Sequence, residues 1–119
     1  MTSETPGPVE PVPVDPITVE DYLRRAWILQ VEGDLPRAEA DFRQATQIDE
    51  RSAEGFYGLG LSLKLQRRAD QAKAAFQKAI ELIGAGALKE DMPRATMLNH
   101  LSKWHIETIN QGLTGEPEP

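Results

Sequence analysis

The chain has no cysteine, which excludes a disulfide framework, a thiolate nucleophile and a Cys-ligated metal, and leaves no redox signature of compartment. It also lacks a long apolar run. No stretch approaches the roughly 18 residues needed to span a bilayer, although an apolar fraction of 39% can supply a modest helical core. The first residues, Met-Thr-Ser-Glu followed by acids and prolines, lack the basic-then-apolar order of a secretory signal, so a cytoplasmic location is expected. Positive charge is in short supply. Thirteen bases against nineteen acids give a formal net charge of −6, which argues against nucleic acid as a partner. With 119 residues there is room for one small domain.

The charge that is present is unevenly placed. Residues 1–17 carry Glu4, Glu10 and Asp15 with no base, and the end of the chain carries Glu116 and Glu118. Residues 18–111 hold fourteen acids and thirteen bases, so the folded part has little net field to steer a charged ligand. Proline follows the same division: Pro6, Pro8, Pro11, Pro13 and Pro16 crowd the N-terminal segment, and Pro117 and Pro119 close the chain. Segments 1–17 and 112–119 are therefore expected to be disordered acidic tails flanking a domain over 18–111.

Within that domain, Thr18-Val19-Glu20-Asp21 places a capping hydroxyl three residues before a carboxylate, with Ile17 placed to staple onto Tyr22. Tyr22, Leu23, Ala26, Trp27, Leu29 and Val31 then follow helical spacing, and Gly33 suits a left-handed terminator. Asp34 caps a second helix that tolerates Pro36 in its first turn and carries Ala38, Phe42, Ala45 and Ile48 at spacings of three and four. Shifting the chain by 34 residues aligns Tyr22 with Phe56, Leu29 with Leu63, Ala38 with Ala72, Phe42 with Phe76 and Ala45 with Ala79. The hairpin is repeated.

Period, two-helix content and the small-and-aromatic pattern Phe56, Leu59, Gly60, Leu63, Ala72, Phe76, Ala79 resemble the tetratricopeptide repeat. The first copy departs from it with Arg25 where Leu59 stands and Ala26 where Gly60 stands; in the second, Arg67 takes the place of the turn glycine Gly33. After Gly84-Ala85-Gly86-Ala87, Asp91-Met92-Pro93 restarts a helix whose apolar stripe is Leu98, Leu101, Trp104, His105 and Ile109. No second helix follows it, so it is expected to cap the stack. The resemblance implies an all-α fold: antiparallel helix hairpins in a short right-handed solenoid of about five helices. Repeats are expected at about 19–52 and 53–86, with the capping helix at about 92–111.

In this family the first helix of each hairpin lines a concave groove. The resemblance places Leu23, Trp27 and Gln30 there in the first copy, Tyr57, Leu61 and Lys64 in the second, and Asn99, Lys103 and Ile106 in the last helix. A groove of that composition suits a peptide segment of another protein, since Trp and Tyr give large contact area with few rotors to freeze. The Lys, Asn and Arg clamp with which some members grip a terminal carboxylate is missing, because Leu23, Trp27 and Gly58 stand at its positions. The function expected is a non-catalytic adaptor or scaffold; self-association, giving a homodimer, or escort of an apolar client segment are the alternatives. Pro8 to Pro16, with valines between the prolines, has the length and apolar character to lie in the groove itself.

Chemistry is not expected. His100 and His105 are five apart on one helix, about 140° round its axis from each other, and cannot share a metal; His105 reads as a packed structural residue. There is no phosphate loop, nucleophile elbow or paired-carboxylate motif, so no catalytic residue, metal or cofactor is assigned. Lys64, Arg67, Arg68 and Lys73 form one basic cluster, read as solvated charge near a helix C-terminus or as a docking point for an acidic segment.

Overall fold

The computed structural model describes residues 16–112. The expected tails, including the Pro-Val segment expected to suit the groove, lie outside the described residues apart from Pro16, Ile17 and Gly112. Five helices form, with no strand among the described residues: α1 Val19–Val31, α2 Leu35–Ile48, α3 Ala53–Leu65, α4 Ala69–Gly84 and α5 Met92–Asn110.

Each start has a local cause. Thr18 Oγ1 accepts from the Asp21 amide at 3.1 Å while the Asp21 carboxylate accepts from the amides of Ile17 and Thr18, closing a capping box. Those two backbone bonds hold the Asp21 carboxyl below its ordinary range. Ile17 nevertheless stays exposed, so the expected staple onto Tyr22 buries little. Asp34, Ser52 and Asp91 cap α2, α3 and α5 by accepting from the amides of Arg37, Gly55 and Arg94. The turns also repeat. Gly33 donates to the Gln30 carbonyl and Asp34 to that of Leu29; 34 residues on, Arg67 donates to Lys64 and Arg68 to Leu63. Both turn residues are left-handed, Gly33 at φ +88° and Arg67 at φ +64°. The arginine accepts about 1 kcal/mol of strain to keep the same hydrogen bonds.

α1, α3 and α5 form one layer and α2 and α4 the other. Each helix packs closely on its neighbours in sequence, whereas α1 meets α3, and α3 meets α5, only sparsely. The paired residues of the repeat form the core: Ala38, Phe42 and Ala45, and likewise Ala72, Phe76 and Ala79, are fully buried. Phe42 lies against the backbone of Gly58 and Phe76 against that of Gly60, where a side chain would hold the helices apart.

Where the copies differ, the structure supplies a substitute. Arg25 Nε and Nη2 donate to Asp41 Oδ2 at 2.6 Å and Oδ1 at 2.9 Å, a two-point ion pair joining α1 to α2, with Asp41 only 5% exposed. The residues 34 further on are Leu59 and Ala75, both buried. The first copy thus joins its two helices with a part-buried ion pair where the second packs Leu against Ala.

α5 packs Ala95, Leu98 and Ser102 inward and turns Thr96, His100, Lys103 and Glu107 outward, as a cap requires. Trp104, expected in the apolar stripe, is 52% exposed.

Candidate binding face

On α1, Trp27 lies half-buried, edge-on to Phe42 at 4.9 Å. Its indole N–H donates to Glu54 Oε2 at 2.8 Å, and the other Glu54 oxygen accepts from the Arg94 guanidinium. Trp27, Glu54 and Arg94 thereby tie α1, α3 and α5 together. Gln30 is likewise engaged, accepting from the Ser62 hydroxyl of α3. Glu54, Arg94 and Ser62 escaped the sequence reading because the offset of 34 relates equivalent residues, not residues that meet across helices.

Two expected groove residues turn elsewhere. Tyr57 is buried against Phe76 at 5.8 Å and His105 at 5.9 Å, and burial pushes its phenol up. Lys64 is 5% exposed and points under α5, its Nζ 2.8 Å from Thr108 Oγ1 and 3.0 Å from His105 Nδ1, and burial pulls its ammonium down. The basic cluster is accordingly dispersed. Arg68 pairs with Glu39 at 2.8 Å and Lys73 donates to Asn110 at 2.8 Å. Burial alone would raise the Glu39 carboxyl, but hydrogen bonds from Gln66 and Arg43 and the charges of Arg68 and Arg43 hold it below its ordinary value.

The third correction concerns α5. Its contacts with α3 come from Arg94, Trp104, His105 and Thr108. At about 100° per residue these four fall within an arc of about 100°, and Asn99, Lys103 and Ile106 lie about 150° or more from its centre. They do not extend the row. By the same rotation Met97, Leu101 and Trp104 fall on the α3 side of α5 instead, and Leu65 follows Leu61 one turn on. The resulting apolar row runs from Leu23 and Trp27 through Leu61 and Leu65 to Met97, Leu101 and Trp104; Leu65 is 53% exposed and Met97 and Trp104 are each 52% exposed. Its lower end opens into a cleft of about 540 Å³ where Leu23, Ala53 and Glu54 face Ala87, Leu88 and Lys89 of the α4–α5 connection.

Paired helices at a period of 34, with glycine at the close approaches, are matched by a direct comparison: residues 53–85 fit the family model described as tetratricopeptide repeat. The chain contains a tetratricopeptide repeat. The matched segment covers α3, α4 and the residue after them, the copy that carries both Gly58 and Gly60. No curated protein and no solved structure matched the chain. The repeat marks a protein–protein interaction module, and its family is typically non-catalytic. No group of three or more His, Asp or Glu among the described residues is placed to hold a metal ion, and no helix among them is long and apolar enough to cross a membrane.

Proposed function

We propose that this tetratricopeptide repeat domain is an adaptor that binds a peptide segment of a partner protein across its concave side, with apolar side chains seated on Leu23, Trp27, Leu61 and Trp104. The observation behind this reading is the exposure of Leu65, Met97 and Trp104 in one row with the half-buried Trp27 and Leu61. Large apolar side chains gathered on one side of a small domain are the usual mark of an interaction surface, and tryptophan is the most frequent energetic anchor.

Both tryptophans of the chain lie on this side, so their emission reports occupancy directly. The test is selection of binding peptides from a displayed library on the full chain, followed by titration against wild type, Trp104→Ala and Lys103→Ala. Loss of an aromatic anchor costs about 2–4 kcal/mol, so Trp104→Ala should weaken binding about 30-fold or more. Lys103→Ala, on the far side of α5, should leave it unchanged. Equal weakening by both variants, or by neither, refutes the assignment of the face. A mass that rises with concentration in sedimentation would mark the row as self-associating instead.

A further inference from the structure

Lys64 and His105 form the seam between α3 and α5, and among the described residues no carboxylate stands among their contacts. The ammonium only donates, so its 3.0 Å contact with His105 Nδ1 requires that nitrogen to accept, which makes the imidazole neutral with its proton on Nε2. Thr108 Oγ1 accepts from the same ammonium at 2.8 Å and passes its own hydrogen to the His105 carbonyl at 2.9 Å. The Trp104 ring lies 5.1 Å from Nζ, and the His105 ring stacks flat on Phe76 of α4 at 4.8 Å. From α3 the groups facing His105 are Tyr57 and Lys64; from α4 the ring of Phe76 faces it, with Lys73 further along the same seam at Asn110. On α5 itself Glu107 is exposed and engages Gln111. Arg94, whose partner is Glu54, is eleven residues away, about 16 Å along the helix.

We propose that the Lys64–His105 contact is a proton-operated latch on α5: a proton added at Nδ1 sets two donors and two positive charges against each other and releases α5 from α3 and α4. The imidazole resists that proton while docked, held down to about 4 by burial and by the Lys64 charge, against about 6.5 when free. Proton binding therefore favours the undocked helix throughout the interval between those values. Release uncovers Tyr57 and Phe76 and removes Met97, Leu101 and Trp104 from the concave row. The latch stands on the geometry of the seam alone, whatever the row binds.

Amide hydrogen exchange on the full chain, corrected for the intrinsic pH dependence of exchange, tests this between about pH 7 and 5. Below about pH 6.5 the opening of α5 should rise about tenfold per pH unit, roughly 30-fold by pH 5, and at each pH α5 should open more readily than α2, whose amides need global unfolding. His105→Phe keeps a ring on Phe76 and should make α5 exchange independent of pH; His105→Gln, which keeps a polar group, should do the same if the larger ring packs poorly. A flat α5 profile in the wild type overturns the latch. So does an unchanged slope in both variants, or α5 and α2 amides exchanging with the same opening free energy, which would mean that α5 opens only by global unfolding.

Discussion

Gly58 and Gly60 sit two residues apart on α3 and touch the two equivalent phenylalanines, yet alanine should be tolerated very differently at the two positions. A Cβ on Gly58 would run into three carbons of the Phe42 ring, the farthest of them, Cδ1, only 2.7 Å away. Phe42 has no room to yield, being fully buried and held edge-on by Trp27 at 4.9 Å. A Cβ on Gly60 meets Phe76 at 2.8 to 2.9 Å, a milder overlap, although Phe76 is also fully buried and must give by a few tenths of an ångström. The first repeat shows such an arrangement already: Ala26 occupies the position equivalent to Gly60 and is fully buried. Alanine gains about 1 kcal/mol over glycine in a helix interior, and overpacking costs about 1–3 kcal/mol or more. Gly60→Ala should thus lie within about 1 kcal/mol of wild type, and Gly58→Ala should lose about 2 kcal/mol or more. Urea unfolding followed by far-ultraviolet circular dichroism measures both. Phe42→Leu should be less damaging in the Gly58→Ala background than in wild type, a coupling that a double-mutant cycle resolves. If Gly58→Ala is as stable as Gly60→Ala, or the cycle shows no coupling, the argument from close approach is wrong.

Arg25→Ala leaves the Asp41 carboxylate buried without its partner and should cost about 2–4 kcal/mol in denaturant unfolding; Arg25→Leu with Asp41→Ala, which installs the residues of the second repeat, should recover most of that loss. Ser102 is fully buried and its hydroxyl has no hydrogen-bond partner, so Ser102→Ala should raise the midpoint of thermal unfolding, by about 1 kcal/mol in stability. His105 makes stability depend on pH. Its folded pKa of about 4 lies below the free value of 6.5, so the unfolded chain binds the extra proton between them; stability is full above about pH 6.5 and falls as the pH drops towards 4. For a ring about half enclosed the loss should be about 1–3 kcal/mol, and it should vanish from the pH profile of His105→Phe.

The sequence by itself determined the helices, their ends and their pairing, because each depends on residues close along the chain. Thr18 with Asp21, Asp34 with Pro36, Gly33 and the alternation of Ala with Phe are local signals, and the offset of 34 then dictates that two hairpins stack alike. That offset even marked Arg67 as a residue forced into a left-handed turn. How the helices meet across the layer was decided only in three dimensions. Helical spacing gives the angle between two residues of one helix, not the rotation of that helix against its neighbour, so nothing in the sequence distinguished Trp104 and Met97 from Lys103 and Asn99 as the side of α5 beside α3. The partners of the polar groups were hidden for the same reason. Glu54 joins Trp27 to Arg94, Asp41 answers Arg25, and Lys64 turns from the groove to His105 because the folded layers bring distant residues within hydrogen-bonding reach, and a buried polar group takes the partner that packing provides.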